Sequence, residues 1–584
     1  MIIQSLKGYY DRVAADPGSG IPQPGWEYKE ICFLIVVDDK GNFIDVEDTR
    51  ELVEGRLVPK AFLVPQSAPR SGTKSYQTTF LLWDHGGYVL GITNSQDKAE
   101  LALNQHKTWL DFLSKLPDEL LKDAGVIAVR EFYNNDGVAR VMESHLADEI
   151  MKNAYRNFSF RLLDDLVPVP CRPNIKQYVD RSITDRLSGN EEHGVCMITG
   201  EYGPIARIHS KTYITRDSHT LVGVQKNRGF DSYGKEQGYN SPIIKSTEFS
   251  YTTALNTLLK KDSRQRLLIG DATTVFWSEK PTDFESDFPM FFQHPEKDDP
   301  AAHTEKIRAL YDSINTGAYV EHDGDTMFYI LGLSPNSARI SVRFWHMGTI
   351  SEFAIRIKEY FDDFKIIKPP SEPEFYSIWQ VLVNIAVQNK SANIPPNLAG
   401  EFMRSILDGT PYPNTLFQAA LRRIKSDAEY RVKPVRAALI KAYLNRYYRF
   451  YPNQKYKEVG IELDINQPST GYQLGRLFAV LEKIQEEANP GINTTIRERY
   501  YGAACATPVT VFANLIRLKN HHLAKLENKG RATNFEKLLG EIIEKVHDFP
   551  AHLDLHEQGR FAIGYYHQRQ AFFVKKDQQN AINE

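Results

Sequence analysis

The chain has 584 residues and a formal net charge of −3 at pH 7, so it is neither a polycation nor a polyanion as a whole. A hydrophobic content of 42% is enough to build buried cores, and at this length we expect two to four domains. The four cysteines form no C-x-x-C pair, which argues against a disulfide framework or structural zinc and fits a reducing compartment. The chain shows neither a leader pattern nor an apolar run of about eighteen residues, so we expect a soluble cytoplasmic protein without membrane contact.

The N-terminal part is predicted to be mixed α/β. Residues 1–95 are predicted to form short strands and turns, including a hairpin of 32–37 with 42–46. After them, apolar periodicity predicts, in chain order, a helix over 96–122, strands over 126–132 and 158–162, a hairpin over 195–208, a helix over 248–261, strands over 267–271 and 274–277, a helix over 300–316 and a hairpin of 327–333 with 339–345. Thr349 is predicted to cap the helix that follows.

The proline-rich stretch 365–374 reads as a stiff linker, and the chain beyond it is helical in pattern. Four amphipathic segments, around residues 474–484, 512–526, 535–546 and after Pro550, predict a bundle. The predicted fold class is therefore α+β. The predicted parts are an N-terminal mixed α/β region with several short sheets over 1–366, a linker and basic helical segment over 367–470, and a C-terminal all-α helical bundle over 471–584.

The stretch 229–242 combines three glycines, three aromatic residues and a series of polar residues. Gly229 to Lys235 match the opening of a phosphate-binding P-loop, but Glu236 stands where that motif needs Ser or Thr to hold magnesium. Gly238 and Pro242 also disfavour the long helix that would follow such a loop. We interpret the stretch as a loop that brings backbone and aromatic edges close to a polyanion, with nucleotide hydrolysis as the alternative.

Two further regions carry candidate contacts to a polyanion. From Arg207 to Lys245 the basic residues outnumber the acidic ones and alternate with aromatic rings, which suits a surface that follows a nucleic-acid backbone. Between Leu421 and Lys457 the imbalance is larger, and solvated helix faces are the alternative explanation there. The candidate residues of this basic helical groove are Arg422, Arg423, Lys425, Arg431, Lys433, Arg436, Lys441 and Arg446.

Candidate catalytic groups are few. His552 and His556 are four residues apart, but the H-E-x-x-H order of a zinc site is absent, and a polar helix face explains the pair better. Asp271 follows an apolar strand without a second carboxylate at a suitable spacing. The sequence therefore predicts no reaction centre, no metal site and no cofactor.

Several segments together resemble one family. They are Leu6 to Tyr10, Pro22 to Gly25, Ser232 to Gly238 with Asn240 and Pro242, Ile330 to Asn336 with Arg339, Gly475 to Glu482, Arg499 to Ala504 and Gly564 to Gln568. They resemble the large subunit of the type I-C CRISPR Cascade surveillance complex, over nearly the whole chain.

This resemblance implies a non-enzymatic member of an RNA-guided complex, which inspects double-stranded DNA for the protospacer-adjacent motif, helps to open the duplex and holds the displaced strand. The implied partners are the target DNA, the guide RNA, the backbone, small and RNA-end-capping subunits, and a helicase-nuclease that the complex recruits. The C-terminal bundle, roughly from Tyr472 on, resembles the small subunit, which this family also translates separately.

Under this resemblance, the loops 70–79 and 230–240 approach the motif from the minor-groove side. Gln77, Gln237 and Asn240 are expected at base edges, and Arg70, Lys74, Lys211 and Lys235 at phosphates. The full set of expected DNA contacts is Arg70, Lys74, Gln77, Thr78, Thr79, Lys211, Lys226, Arg228, Phe230, Tyr233, Lys235, Gln237 and Asn240. The alternatives are a metal- or nucleotide-dependent nuclease or ATPase and a purely structural RNA-binding scaffold.

Overall fold

The fold is known from a computed structural model. It describes residues 1–53, 55–68, 70, 74–186, 192–214, 219–226, 229–269, 272–292, 305, 308, 311–316, 323–336, 339–427, 432–453 and 456–573. The chain divides into two compact units. The first unit comprises Met1–Lys260 with Ser337–Ile340, and the second comprises Lys261–Asn336 with Ser341–Glu584.

The first unit is mixed α/β. Its helices are α1 (Ile2–Ala14), α2 (Gly86–Val89), α3 (Ala99–Ser114), α4 (Ala124–Asn134), α5 (Gly137–Met142), α6 (Ala147–Lys152), α7 (Pro173–Arg186) and α8 (Lys245–Leu258). Its strands are β1 (Trp26–Glu30), β2 (Phe33–Val37), β3 (Phe43–Asp48), β4 (Glu51–Val53), β5 (Arg56–Val58), β6 (Ala61–Pro65), β7 (Trp83–His85), β8 (Asn157–Leu162), β9 (His193–Val195), β10 (Tyr202–Pro204), β11 (Lys211–Thr212) and β12 (His219–Thr220).

A four-stranded sheet of order β3-β2-β8-β7 forms the centre of the first unit. Strand β2 runs parallel to β8, and the other two pairings are antiparallel. Every residue of β2 is buried, as its uninterrupted apolar run requires of a central strand. The β2–β3 hairpin, strand β8 and helix α8 confirm the predictions made for those segments. The described strand pairs β1–β6, β4–β5, β9–β10 and β11–β12 form small two-stranded sheets around this centre.

Two predictions in the first unit are wrong. The predicted strand over 126–132 is helix α4, which begins where the Asp123 carboxylate accepts a hydrogen bond from Gly125 N at 2.9 Å. Its buried residues Val126, Val129 and Phe132 recur every three positions, which is a helical spacing. The chain also opens with helix α1, where only strands and turns were predicted. Leu6, Tyr9 and Tyr10 are the buried residues of its inner face.

The second unit combines a sheet with helices. The sheet has the order β13 (Arg266–Ile269), β14 (Ala272–Ser278), β15 (Met327–Asn336) and β16 (Arg339–Thr349). The helices are α9 (Asp283–Asp287), α10 (Ile350–Asp363), α11 (Ile378–Ile385), α12 (Pro396–Leu407), α13 (Asn414–Ser426), α14 (Pro434–Phe450), α15 (Thr470–Ala488), α16 (Ile496–Ala506), α17 (Phe512–Lys525), α18 (Lys529–Ile543) and α19 (Leu555–Ala571). The predicted α+β class is confirmed.

The predicted cap of helix α10 is confirmed. Thr349 accepts a hydrogen bond from Glu352 N, and the Glu352 side chain accepts one from Thr349 N, which together form a capping box. Helices α15, α17, α18 and α19 confirm the four predicted bundle segments, and α16 is an additional helix that the pattern did not reveal. Most of the predicted helix over 300–316, and Asp271, lie outside the described residues.

The proline-rich stretch 365–374 packs within the second unit. Ile366 is buried, and Ile367 N donates to Ile461 O at 2.9 Å while Ile367 O accepts from the Tyr566 hydroxyl at 2.7 Å. The domain boundaries proposed at 366 and 470 stay predictions. Among the residues that the structure describes, no helix is long and apolar enough to cross a bilayer.

Helices α15 and α19 are in unusually close contact because small residues line their interface. A Cβ added at Gly475 would lie 2.0 Å from Phe561 O, and one added at Gly564 would lie 2.1 Å from Tyr472 O. Glycine at these positions lets the two backbones approach, so the helices pack backbone against backbone.

We predict that Gly475→Ala destabilises the protein by about 2–4 kcal/mol, because the added methyl group overlaps a backbone carbonyl that cannot rotate away. Urea unfolding followed by circular dichroism measures the change. Gly540→Ala in helix α18 is the matched control, since nothing lies within 4 Å of its added Cβ. We expect the control to be neutral or stabilising, by up to about 1 kcal/mol. Equal stability of the two variants would contradict the close packing.

Candidate nucleic-acid interface

Residues 229–240 form a projecting loop, here named the finger. Lys235 N donates to Ser232 O at 2.9 Å, which closes a two-residue turn with Tyr233 and Gly234 at its tip. Both tip residues have positive φ, 51° and 72°, as a type I′ turn requires. The Tyr233 side chain is 99% exposed, so an aromatic ring stands at the end of the finger.

The side chain of Asn240 holds the finger together. Its oxygen accepts from Ser232 N at 3.0 Å, and its nitrogen donates to Lys235 O at 2.9 Å and to Gln237 O at 3.1 Å. The Asp231 carboxylate accepts from Gln237 N at 3.1 Å. Because these bonds occupy the Asn240 amide on both sides, we assign Asn240 to positioning the finger instead of to a base edge.

The base of the finger lies directly on the segment 205–210. Gly238 N donates to Arg207 O at 2.9 Å, and a Cβ at Gly238 would lie 2.2 Å from Ala206 O. The Arg207 guanidinium also donates to the side-chain oxygen of Gln237. Gln237 is therefore held at the base, with its carbonyl oxygen already used.

The segment that carries the finger is fixed by helix α8. The Nδ1 atom of His209 lies 2.6 Å from the Tyr251 hydroxyl, and Ser210 N donates to Glu248 at 2.6 Å. Burial lowers the pKa of His209 to about 4, so this imidazole is neutral at pH 7. The positive charge of this segment is therefore carried by Arg207 and Lys211.

The finger carries one cation and a second ring, and further cations lie outside it. Lys235 and Lys211 are exposed, Phe230 is 57% exposed, and Lys226 pairs with Glu236 at 2.8 Å on the surface. Arg228 lies outside the described residues. An exposed ring with cations beside it is the arrangement that single-stranded and minor-groove binding surfaces use.

The described part of the loop 70–79, Arg70 and residues 74–79, is organised around the buried carboxylate of Asp84. The Arg70 guanidinium pairs with Asp84, donates to Thr78 O at 2.8 Å, and lies between the rings of Phe80 and Tyr88, at 3.8 and 4.1 Å from their centroids. Since these contacts engage all three nitrogens of the guanidinium, we assign Arg70 to shaping the loop instead of to phosphate binding.

The other predicted residues of this loop divide into two groups. The Thr79 hydroxyl donates to Asp84 at 3.1 Å, and Thr78 is partly buried beneath the Arg70 contact. Lys74 and Gln77 are exposed at the ends of a 3-10 turn, Ser75–Gln77, that the Tyr88 hydroxyl holds by donating to Ser75 O at 3.2 Å. Among the described residues of this loop, Lys74 and Gln77 are therefore the two that are exposed to a ligand.

A chain of polar contacts runs from Ser67, which precedes this loop, to Tyr213, which follows the segment 205–210. Ser67 N donates to the Glu27 carboxylate at 2.6 Å, Glu27 pairs with Lys29 at 3.0 Å, and Lys29 Nζ donates to the Tyr213 hydroxyl at 2.9 Å. Burial opposes the charge on Lys29, but Glu27 and Tyr213 outweigh it and raise its pKa. Asn256 then holds the backbone of Tyr213 and Lys211. Sequence reasoning missed Asp84, Glu27 and Lys29, because each stands alone among uncharged or oppositely charged neighbours.

Three residues of the predicted basic groove are internal. Arg436, Lys441 and Arg446 are at most 4% exposed. Arg436 pairs with Asp427 at 2.9 Å, Lys441 donates to Asp363 O at 2.9 Å and Arg446 pairs with the Asp363 carboxylate at 3.2 Å. Burial lowers the pKa of both Arg436 and Lys441. These three cations hold the second unit together from inside.

The remaining groove residues are nearer the surface. Arg422 is exposed, while Arg423, Lys425 and Lys433 are half-buried, with Arg423 paired to Asp427 and Lys425 donating to Gln558 at 2.7 Å. Arg431 lies outside the described residues. Helix amphipathicity did not reveal this inward orientation, because a charge-rich sequence normally marks a solvated face.

The structure separates the candidate catalytic histidines. His552 precedes helix α19, which begins at Leu555, so the two residues do not share a helix face. The His556 ring lies against Tyr447 at 4.7 Å, and its Nδ1 atom is 2.7 Å from the Tyr448 hydroxyl. The P-loop-like stretch ends in a 3-10 turn, and the next helix begins only at Lys245.

Comparison with known proteins places the chain in a class and then in a family. A family model described as CRISPR-associated protein (Cas_Csd1) matches residues 6–573, nearly the whole chain. The protein is therefore a CRISPR-associated protein and a subunit of a Cascade complex. It belongs to the Cas_Csd1 family, the large subunits of type I-C Cascade, and the resemblance seen in the sequence is confirmed. A search of curated proteins finds no match.

We predict that Arg70→Ala destabilises the first unit by about 3 kcal/mol, because it leaves the carboxylate of Asp84 buried with its charge unpaired. Lys74→Ala removes a cation from the same loop, but an exposed one, and we expect a change within about 0.5 kcal/mol. Chemical unfolding of both variants checks this, and an Arg70 variant as stable as the Lys74 variant would refute the structural role.

We predict that Asn240→Ala increases amide hydrogen exchange across residues 229–240 by about tenfold or more, because the finger loses the side chain that joins its two halves. Exchange in helix α8 is the internal reference and is expected to stay unchanged. Asn135→Ala is the control variant, because Asn135 is remote in sequence from the finger. Asn256→Ala would not serve, because Asn256 holds the backbone of Lys211. Unchanged exchange in the finger would contradict the proposed positioning role.

Proposed function

We propose that this Cascade subunit recognises the protospacer-adjacent motif in double-stranded DNA with the finger and the exposed part of the loop 70–79. The proposal rests on the ring of Tyr233, which is fully exposed on a hydrogen-bonded turn. Lys235 follows two residues further along the chain. Aromatic or apolar side chains inserted between base steps unstack them and bend the duplex, at a cost of a few kcal/mol. A turn that is held by its own hydrogen bonds suits this task, because no free energy is spent on ordering it when DNA binds.

In this proposal the exposed residues take different roles. Lys74, Lys211 and Lys235 contact phosphates, since exposed ammonium groups add affinity without reading sequence. Gln77 is the amide of the loop 70–79 placed at a base edge. Tyr233 and Phe230 enter or cover the duplex next to the motif. Base pairing with the guide RNA then supplies most of the sequence specificity, as in other RNA-guided effectors.

We further propose that the subunit assists duplex opening, stabilises the displaced single strand in the R-loop, and recruits a helicase-nuclease that performs the cleavage. The subunit itself is proposed to be non-catalytic. Two observations support this: the P-loop-like stretch is folded as a type I′ turn, and His556 is packed among tyrosine rings. Its partners are proposed to be the guide RNA with the backbone, small and RNA-end-capping subunits of the complex.

We predict that Tyr233→Ala weakens binding of motif-bearing duplex to the reconstituted complex by about tenfold or more, because stacking on one base is worth about 1–3 kcal/mol. Tyr233→Phe keeps the ring and is expected to retain most of the affinity. Tyr155→Ala is the matched control, since Tyr155 is an exposed tyrosine of the first unit outside the finger. Filter binding against duplexes with and without the motif measures the effect.

Lys235→Ala removes a positive charge from the finger but leaves the ring of Tyr233, and so tests the electrostatic part of binding separately. We expect it to weaken binding of both duplexes about equally and to reduce the slope of log affinity against log salt by about one. The proposal is wrong if Tyr233→Ala binds motif-bearing duplex as well as the unaltered complex does. It is also wrong if the complex binds both duplexes equally before any substitution.

A further inference from the structure

The hairpin of strands β4 and β5, here named the ribbon, exposes all of its strand residues. By contrast, each of the other small two-stranded sheets in the described chain includes a buried residue. The turn between β4 and β5 is open as well, since nothing lies within 4 Å of a Cβ added at Gly55. The ribbon is therefore a projection of the first unit, and the role proposed for the finger does not involve it.

The exposed side chains of the ribbon are mainly aliphatic. Leu52 is 73% exposed, Leu57 55%, Val53 51% and Val58 38%. Leu52 and Leu57 are directly opposite each other in the register, so their side chains share one face, here named the leucine face. Exposed apolar residues that are scattered singly are ordinary on a protein surface, but a cluster of them marks an interaction site.

The leucine face is not covered by a third strand. Among the described strands, β4 and β5 pair only with each other and form a separate sheet. A two-stranded hairpin is only marginally stable in water unless a further strand or a packed layer covers its apolar face. A partner that covers Leu52 and Leu57 would therefore stabilise the ribbon and remove both leucines from water.

The base of the ribbon is anchored to the first unit by hydrogen bonds. Thr49 N donates to Cys32 O at 3.1 Å, and Ile31 N donates to Lys60 O at 3.1 Å. Lys60 N also donates to the Thr49 hydroxyl at 3.3 Å, which joins the two sides of the base. The leucine face therefore stands on a fixed base, which reduces the conformational entropy that is lost when a partner binds.

The charges of the ribbon argue against nucleic acid as the partner. Its described charged residues are Glu51 and Arg56, which are of opposite sign. Arg50 at the base is paired with Asp48 at 2.6 Å and with Glu149 at 3.2 Å. Nucleic-acid binding depends on cations that can neutralise phosphates, whereas the core of a protein interface is apolar and poor in charge. The leucine face therefore fits an apolar protein surface.

The family of the chain supplies the class of partner, because a Cascade subunit assembles with other Cas proteins. We propose that the leucine face docks in an apolar groove of another protein subunit of the complex. A protein interface of standard size takes about 20–30 residues on each side, so the ribbon is one anchor of that contact and not the whole of it. The proposal rests on the other protein subunits proposed as partners, and not on recognition of the motif by the finger.

Competition for places in the complex tests the proposal. The unaltered full chain and a variant are mixed in equal amounts with a limiting quantity of the other subunits and guide RNA, without target DNA, and mass spectrometry measures their ratio in the assembled complex. We expect Leu52→Asp and Leu57→Asp each to be under-represented by about tenfold, because a carboxylate placed in an apolar groove loses its hydration. Leu52→Ile keeps an aliphatic side chain of the same size and is expected to compete equally.

Leu268→Asp is the matched control, since Leu268 lies on strand β13 of the second unit and is 74% exposed. We expect this variant to compete equally with the unaltered chain. The isolated ribbon variants are expected to unfold at the same temperature as the unaltered chain, because substitutions of exposed residues change stability little. The ratio measured for the ribbon variants is expected to persist at high salt, since salt screens contacts between charges and not apolar ones.

The inference is overturned if the ribbon variants enter the complex as often as Leu268→Asp does. It is also overturned if sedimentation of the isolated chain shows an oligomer that Leu52→Asp dissociates, since the partner is then a second copy. A ratio that returns to one at high salt would overturn it in favour of guide RNA. Failure of the unaltered chain to enter the complex would remove the proposed subunit partners together with this inference. Because target DNA is absent, no result of the competition bears on motif recognition.

Discussion

Gly238 lies against the carbonyl oxygens of Ala206 and Arg207 so closely that no side chain fits between them. This contact and the hydrogen bond from Gly238 N to Arg207 O hold the base of the finger on the segment 205–210. The role proposed for Tyr233 depends on this attachment, because a loop that is ordered before DNA binds spends no free energy on ordering at that step. Asn240 then joins the two halves of the finger, and the chain of contacts from Ser67 to Tyr213 connects the segment before the loop 70–79 with the one after the finger's support.

Charge in this protein is used in two different ways. In the second unit, Arg436, Lys441 and Arg446 are buried and joined to Asp427, Asp363 and backbone carbonyls, so they contribute to internal cohesion instead of to an external field. Removing one partner from such a network is costly, because the other charge stays buried. Lys235 of the finger and Lys211 of strand β11 remain exposed. A nearly neutral protein can therefore hold nucleic acid locally without attracting it over its whole surface.

The sequence predicted much of this architecture, and the failures have physical reasons. A continuous apolar run identified β2, alternating apolar residues identified β8, and the Thr349 cap was visible as a helix start. The strand predicted at 126–132 is a helix because Asp123 caps it, a cue that outweighed the β-branched residues. At the site, the sequence located the finger by its glycines and rings. It did not separate Asn240 and Arg70, which shape the loops, from Gln77 and Lys235, which are exposed, since only the hydrogen-bond partners make that distinction.

The central claim is that Tyr233 lies next to the motif when duplex DNA is bound. The most direct measurement places a photo-crosslinking amino acid at position 233 of the subunit, in the complete guide-loaded complex, and maps the crosslinked nucleotides on a motif-bearing target. The account predicts crosslinks to the base pairs at or beside the motif, and none on a duplex that lacks it. Efficient binding of the motif-bearing duplex with no crosslink from position 233 would contradict it.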